Sequence, residues 1–232
     1  PHEPAAPFMF TLAHISDPHL GPLPRPRIRE IATRRAFGYI NWHRNRAHAY
    51  RPRVLTDLVE AIRAETPDHI AVTGDLVNIA LREEIRLAAQ WLEKLGSPHD
   101  VTVIPGNHDA YVRISDGSTF LIAARTSREA WKPFMTGDDA GRLHYPFVRR
   151  RGDVALIGTS TARATAPMIA TGHMSSAQLD ELRRVLGELR KEDLFKNPGT
   201  AETLDWASAL VELDAQALDP NLIGDTLGVV LK

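Results

Sequence analysis

Three polar clusters in the sequence carry residue types that bind divalent metal ions: Asp17-Pro18-His19, Gly74-Asp75 and Gly106-Asn107-His108-Asp109. Their donors are carboxylate and amide oxygens and imidazole nitrogens, which suit hard or borderline divalent cations. An aspartate such as Asp75 can bridge two ions, and two ions about 3.5 to 4 Å apart clamp the oxygens of an in-line displacement at phosphorus. Together the clusters predict hydrolysis of a phosphoester.

One such cluster alone is weak support, because aspartate and asparagine after a strand most often form turns or helix caps. Here each cluster follows a short apolar run that predicts a buried strand. These runs are Phe10 to Ser16, His69 to Thr73 and Val101 to Ile104. The repeated placement after a predicted strand favours the functional interpretation.

The segments between these runs have helical periodicity, from Val54 to Ala64 and from Arg82 to Leu95. Their predicted core-facing stripes are Leu55, Leu58, Val59 and Ile62, then Ile85, Leu87, Ala88, Trp91, Leu92 and Leu95. Alternating strands and helices predict an α/β fold with a parallel sheet and right-handed crossovers. Because the carboxyl ends of parallel strands meet at one edge, we expect the three clusters to converge in one crevice.

The second half of the chain has a different pattern. His144 to Arg149 and Val154 to Thr159 predict two strands of a hairpin with Arg151-Gly152-Asp153 as its turn. Ser175 and Gln178 predict a capping box for a helix from Ala177 to Arg190. Further helical patterns run from Thr203 to Leu218 and from Asn221 to Leu231.

Composition narrows the class of protein. There are 28 basic and 29 acidic side chains, a balance that excludes a surface basic enough overall to attract nucleic acid or membranes. The absence of cysteine excludes disulfides, thiolate catalysis and cysteine-based metal sites, and leaves histidine as the nitrogen ligand. With no long apolar run and no secretory signal pattern, we expect a cytoplasmic protein without a transmembrane segment.

The three clusters and the residues around them resemble a known family. His14 to Leu20, then Gly74-Asp75, then Pro105 to Asp109 look like the first three signature blocks of the calcineurin-like metallophosphoesterases. The likeness is greatest to bacterial members near the class III cyclic-nucleotide phosphodiesterases, and it extends from about Phe10 to Phe195. It implies an α/β sandwich of two mixed sheets flanked by helices, here with the second sheet incomplete and a helical C-terminal tail.

The resemblance also implies a hydrolase, specifically a phosphodiesterase, that uses attack of a metal-bound hydroxide on a small phosphoester substrate. The complete family site holds two divalent ions, which would be manganese, iron or zinc. By position, Asp17 and His19 would bind the first ion, Asp75 would bridge the two, and Asn107 would bind the second.

Further positions are expected to contact the substrate. Asn107 and His108 would touch the phosphate, and His108 would stabilise or protonate the leaving oxygen while Asp109 orients it. Tyr111 and Arg113 follow His108 closely enough to reach the substrate as well, although an ordinary role in the loop also accounts for them.

Two later metal-binding motifs of the family are missing from this sequence. One is a histidine after the next strand, and the other is Gly-His-x-His. Gly172-His173-Met174-Ser175 imitates half of the latter but precedes a capped helix, so we interpret it as a loop, and no histidine follows it. We therefore expect one ion or fewer per chain, and weak or absent activity of this exact chain.

The acidic end of the chain has its own likeness. From Glu192 to Lys232 there are eight acidic and two basic residues, and Pro198 to Lys232 resembles the C-terminal helices of MoxR-type AAA+ ATPases. No Gly-x-x-x-x-Gly-Lys-[Ser/Thr] phosphate loop is present, so ATPase activity is not expected; an amphipathic cap explains the tail equally well. We expect an extension over residues 1–8, a metallophosphoesterase-like domain over 9–195 and a helical tail over 196–232.

A basic segment from Arg25 to Arg53 holds nine arginines and one acid, interleaved with aromatic residues from Phe37 to Tyr50. Such a segment can grip phosphates or lie on an anionic membrane, but it is more often the solvated face of a lid helix. We expect no specific nucleic acid partner. Two alternatives to an enzyme stay open at this point: a remnant that binds a phospholigand without turnover, and an interaction protein that docks through the basic segment.

Overall fold

A computed structural model of the chain describes residues 10–31, 35–48, 50–110, 129–139, 143–163, 165 and 169–191. They divide into two compact units, one before residue 169 and one from residue 169 onward. The predicted N-terminal extension and acidic tail lie outside the described residues, as do Arg34, Tyr111 and Arg113. The domain boundaries proposed from the sequence therefore stay a prediction.

The first unit alternates strands and helices as expected, and the following list gives its elements in order. They are β1 (Leu12–Ile15), α1 (Ile28–Ile31), α2 (Arg35–Asn41), a π-helix (Trp42–Arg46), α3 (Pro52–Ala64), β2 (His69–Val72), α4 (Arg82–Leu95), β3 (Val101–Val103), a 3₁₀-helix (Lys132–Phe134), β4 (Phe147–Arg151) and β5 (Val154–Gly158). The mixture of helices with two small sheets confirms the α/β class.

The first sheet is parallel and has the order β1-β2-β3, which confirms the prediction from the strand and helix alternation. Ile15 pairs with Val72, and Val72 with Val103, so the three strands end side by side. The chain segments that leave these strands therefore start from one edge of the sheet. This register brings the three polar clusters together.

The core lies between this sheet and the helices, and it corrects two side-chain assignments. Ile85, Ala88, Leu92 and Leu95 of α4 are buried, as expected for residues three and four apart on one helix face. Leu87 is 39% exposed and points away from that face, so its assignment to the stripe is wrong. In α3 the same error affects Leu58, which is 43% exposed, whereas Val59 and Ile62 pack against the core.

The second sheet of the described residues is the antiparallel hairpin of β4 and β5. Strand β4 begins at Phe147 and not at His144, because Pro146 has no N–H to donate to a ladder. It runs to Arg151, which pairs with Val154, so Gly152-Asp153 alone forms the turn. The buried Arg149 of β4 donates hydrogen bonds to the carbonyls of Val101 (2.7 Å) and Thr136 (2.7 Å).

In the second unit, the described helix α5 (Ser176–Leu189) begins where the capping pattern predicts. The Ser175 hydroxyl accepts a hydrogen bond from the Gln178 backbone N–H at 3.2 Å. His173 lies in the exposed segment before this helix, in agreement with its interpretation as a loop residue. None of the helices in the described part of the chain is long and apolar enough to span a membrane.

Candidate metal centre

The segments that follow β1 and β2 run alongside each other and are joined by backbone hydrogen bonds. The N–H of Asp17 donates to the carbonyl of Gly74 (3.2 Å), and the N–H of His19 donates to the carbonyl of Asp75 (3.0 Å). Asp17, His19 and Asp75 all have positive φ angles, of 51°, 37° and 52°. Left-handed backbone at three non-glycine residues is a strained arrangement, and such strain concentrates at functional sites.

The segment after β3 makes a very close backbone approach to the segment after β2. Gly74 has φ +90°, and a Cβ atom added there would lie 2.3 Å from the backbone N of Gly106. A Cβ on Gly106 would in turn lie 2.2 Å from Oδ1 of Asp75. Both positions therefore require glycine, and their contact is what brings Asp75 next to the Gly106 to Asp109 turn.

Three side chains, one from each strand-end segment, form a cluster with the donors of a metal site. His19, Asp75 and His108 each offer one ligand atom, and these atoms all lie within 4.8 Å of one another. The rings of His19 and His108 meet edge to face, with centroids 4.8 Å apart and planes at 87°. The convergence expected from the sequence is thus present for these three residues.

Both imidazoles of the cluster are oriented by backbone carbonyls of the loop after Asp75. Nδ1 of His108 lies 2.5 Å from the carbonyl oxygen of Asn78, and Nδ1 of His19 lies 3.2 Å from that of Val77. Each Nδ1 must carry a proton to donate to a carbonyl, so Nε2 is the ring nitrogen through which each imidazole would bind an ion or a substrate. A carbonyl behind Nδ1 is the usual support of a metal-binding histidine.

Burial and neighbouring charges set the protonation of the cluster. Burial, together with the positive charge of Arg46, lowers the pKa of His19 to about 4, so the ring is neutral near pH 7. Burial also raises the pKa of Asp75 above its usual value, although its Oδ1 accepts a hydrogen bond from the His108 N–H at 2.8 Å. A divalent cation bound at the cluster would favour the ionised form of this buried carboxylate.

Asp109 is buried, and the structure shows its carboxylate bound to backbone N–H groups. Its carboxylate accepts hydrogen bonds from the N–H groups of Gly106 (2.9 Å) and Val77 (3.1 Å). Burial raises its pKa to about 7. Asp109 thus ties the turn that carries His108 to the loop that follows Asp75, and any orienting effect on His108 passes through the backbone.

Two other residues proposed as metal ligands flank the cluster. Asp17 is exposed, and its charge affects the protonation of both His19 and Asp75, which places it close to them. Asn107 is partly buried in the turn between Gly106 and His108. Their roles as ligands stay predictions, as do the substrate contacts of Tyr111 and Arg113, which lie outside the described residues.

A buried carboxylate that the sequence analysis missed stabilises the loop beside the cluster. Glu84, in the first turn of α4, accepts hydrogen bonds from the N–H groups of Asn78 (2.7 Å), Ile79 (3.2 Å) and Leu81 (2.9 Å). It therefore fixes the loop whose carbonyls orient the two imidazoles. From sequence, Glu84 is one of two adjacent acids at a helix start, a common position that gives no sign of this role.

Two arginines of the basic segment reach the same region. Arg35 is buried, and it donates to the carbonyls of Ile79 (3.0 Å) and Ala80 (2.7 Å), on the loop that Glu84 fixes from the other side. Nη1 of Arg46 lies 3.3 Å from Nδ1 and 3.4 Å from Nε2 of His19. The basic segment is therefore next to the cluster, as its position in the sequence predicts.

The donor set fits a divalent metal ion. Two imidazoles and a carboxylate suit a borderline cation such as Zn²⁺, Mn²⁺ or Fe²⁺, and the backbone carbonyl behind each Nδ1 is the usual support of a ligand histidine. The geometry is compatible with His108 either as a ligand or beside the ion.

Comparison with known proteins supports the same chemistry. A family model described as calcineurin-like phosphoesterase matches residues 10–153. The glycerophosphodiester phosphodiesterase GpdQ of Enterobacter lignolyticus (strain SCF1) is 33% identical to this chain over 100 residues, which is 42% of this chain and 29% of the relative. The aligned region thus spans less than a third of that protein's length.

Proposed function

The chain belongs to the calcineurin-like phosphoesterase family, and on that premise we propose that it hydrolyses phosphodiesters with the help of a divalent metal ion. The observation that carries the proposal is the convergence of His19, Asp75 and His108 within 4.8 Å at the ends of three parallel strands. The choice of a diester is supported by the similarity to a glycerophosphodiester phosphodiesterase.

Asp17, His19 and Asp75 would hold the first ion, and Asp75 and Asn107 would be the ligands at the second position. When bound, a divalent cation supplies a hydroxide at near-neutral pH and draws charge from the phosphoryl oxygens. The contribution of the protein is to keep these side chains in place before the substrate arrives. The left-handed backbone of Asp17, His19 and Asp75 and the close contact between Gly74 and Gly106 would hold these side chains in place.

His108 would give a proton to the leaving oxygen of the ester. Because the Nδ1 proton is donated to the carbonyl of Asn78, the proton given to the leaving oxygen would be the one that Nε2 carries in the imidazolium form of His108. Protonation of the departing alkoxide makes it a better leaving group, which is worth 10² to 10⁴ in rate for a typical general acid. Asp109 and Glu84 would act as positioning residues, because both fix backbone that carries or supports the two histidines.

We predict that this chain hydrolyses bis(p-nitrophenyl) phosphate slowly with Mn²⁺, and that the activity is lost in both Asp17→Ala and His108→Ala. The rate is expected to be low because the histidines of two family motifs are missing from this sequence. The loss in His108→Ala should reach about a hundredfold or more, because no other described group replaces its proton. Release of p-nitrophenolate measures the rate.

His99→Ala is the matched control, because His99 is exposed and paired with Asp100, away from the three strand-end clusters. Its rate should equal that of the unchanged chain. Turnover that persists in both Asp17→Ala and His108→Ala would contradict the proposed function. Tight binding of inorganic phosphate without any turnover would instead favour a protein that holds a phospholigand.

A further inference from the structure

The basic segment contributes one guanidinium directly to the cluster. Nη1 of Arg46 lies 3.4 Å from Nε2 of His19, the ring nitrogen that can accept from it when Nδ1 donates to the carbonyl of Val77. Arg35 is instead buried, and it donates hydrogen bonds to the carbonyls of Ile79 and Ala80. Arg44, two residues before Arg46, is exposed.

The π-helix positions Arg46. The N–H of Ala47 donates to the carbonyl of Trp42 at 2.8 Å, which closes one wide turn over Trp42–Arg46. Trp42 is only 8% exposed, so it anchors the start of this turn in the protein. Arg46 lies four residues later, about one turn of the wider helix, and is partly buried on the same side. Short π-helical turns occur frequently at functional sites, where they redirect a side chain.

The hydrogen-bond acceptor of Arg46 differs from those of the other two arginines described above. The acceptor that the structure shows for its guanidinium is the imidazole of His19, and the carboxylate of Asp75 lies within electrostatic range of it. Arg35 and Arg149, in contrast, have several backbone carbonyls as acceptors. A guanidinium carries five N–H donors, so an anion bound at the cluster would lie within reach of donors that the imidazole of His19 does not occupy.

We propose that Arg46 is a substrate-binding residue that donates hydrogen bonds to the phosphoryl group of an anionic phosphoester beside the metal centre. This inference rests on the proposed function. A phosphodiester shares its negative charge between two non-bridging oxygens, and the planar guanidinium presents paired N–H donors that match them. When Nε2 of His19 serves as a metal ligand, Arg46 needs a new acceptor, and the phosphoryl oxygens provide it.

The test compares Arg46→Gln and Arg46→Lys with the unchanged chain, and uses Arg44→Gln as the matched control from the same π-helix. Two quantities are measured: the KM and kcat for bis(p-nitrophenyl) phosphate with Mn²⁺, and the Kd of inorganic phosphate by calorimetry with and without Mn²⁺. Arg46→Gln should raise both KM and the phosphate Kd about tenfold or more, the loss expected for a charge-assisted hydrogen bond. Arg46→Lys should recover part of the lost affinity, because lysine keeps the positive charge but lacks the paired N–H donors of the guanidinium.

The outcomes separate this inference from the proposed function. The inference is supported if Arg46→Gln weakens phosphate binding while the midpoint of thermal unfolding and the amount of bound Mn²⁺ stay unchanged, and if Arg44→Gln has no effect. It is overturned if the unchanged chain is active and Arg46→Gln keeps its KM and phosphate Kd within about twofold. It is also overturned if Arg46→Gln loses stability or Mn²⁺ as much as phosphate affinity, since Arg46 would then be structural. If the unchanged chain neither turns over nor binds phosphate, both ideas fail.

Discussion

Asp75→Asn is expected to abolish measurable Mn²⁺ binding at the cluster and to reduce any phosphodiesterase rate at least about a hundredfold. The substitution keeps the shape of the side chain and an oxygen that can accept from the His108 N–H. It removes the one buried carboxylate of the cluster, which is the only anionic donor among its three members. Ligand charge largely determines affinity for a divalent cation.

The same variant should not lose stability in the absence of metal. Burial, and the nearby charge of Asp17, raise the pKa of Asp75, which means that its ionised form is unfavourable in the folded protein. Removing that charge should therefore leave the midpoint of thermal unfolding equal or higher, as is common when a functional charge is deleted. Asp57→Asn, at an exposed position of α3, is the control for both measurements. Unchanged Mn²⁺ binding by Asp75→Asn would contradict the assignment of the site.

Gly74→Ala is expected to be the most damaging change to the fold around the site. Gly74 has φ +90°, which an alanine adopts only with strain, and the new Cβ would lie 2.3 Å from the backbone N of Gly106. Backbone on both sides would have to separate, and Asp75 would move with it. We expect a loss of about 3 kcal/mol or more in the free energy of unfolding, together with loss of Mn²⁺ binding.

Gly187→Ala is the matched control for this prediction. Gly187 lies inside α5, and a Cβ added there has no neighbouring atom within 4 Å. Alanine should stabilise a helix at such a position by about 0.5 to 1 kcal/mol, so the two substitutions should change stability in opposite directions. Denaturant unfolding of both variants measures the difference. Wild-type stability of Gly74→Ala would mean that the close approach to Gly106 is not needed.

The sequence predicted the parallel sheet and the meeting of the strand-end residues because both depend on local patterns. A short apolar run indicates a strand, and the order of strands and helices fixes their direction. Since a parallel register aligns the carboxyl ends of the strands, the neighbourhood of His19, Asp75 and His108 follows without any knowledge of side-chain contacts.

What the sequence did not predict depends on contacts between distant positions. The carboxylate of Glu84 binds backbone of a loop that has no pattern of its own, and Arg46 meets His19 across 27 residues of chain. The exposure of Leu58 and Leu87 was missed because apolar residues at a helix flank extend a predicted stripe beyond the face that packs. In each case composition and periodicity cannot identify the partner.

The central claim is that the ends of β1, β2 and β3 build a divalent-metal centre, and crystals grown with Mn²⁺ test it most directly. Anomalous diffraction locates the metal independently of any activity. The account predicts a peak at coordination distance, about 2 Å, from Nε2 of His19 and the carboxylate of Asp75, with His108 adjacent. A peak elsewhere in the chain, or none at millimolar Mn²⁺, would contradict it.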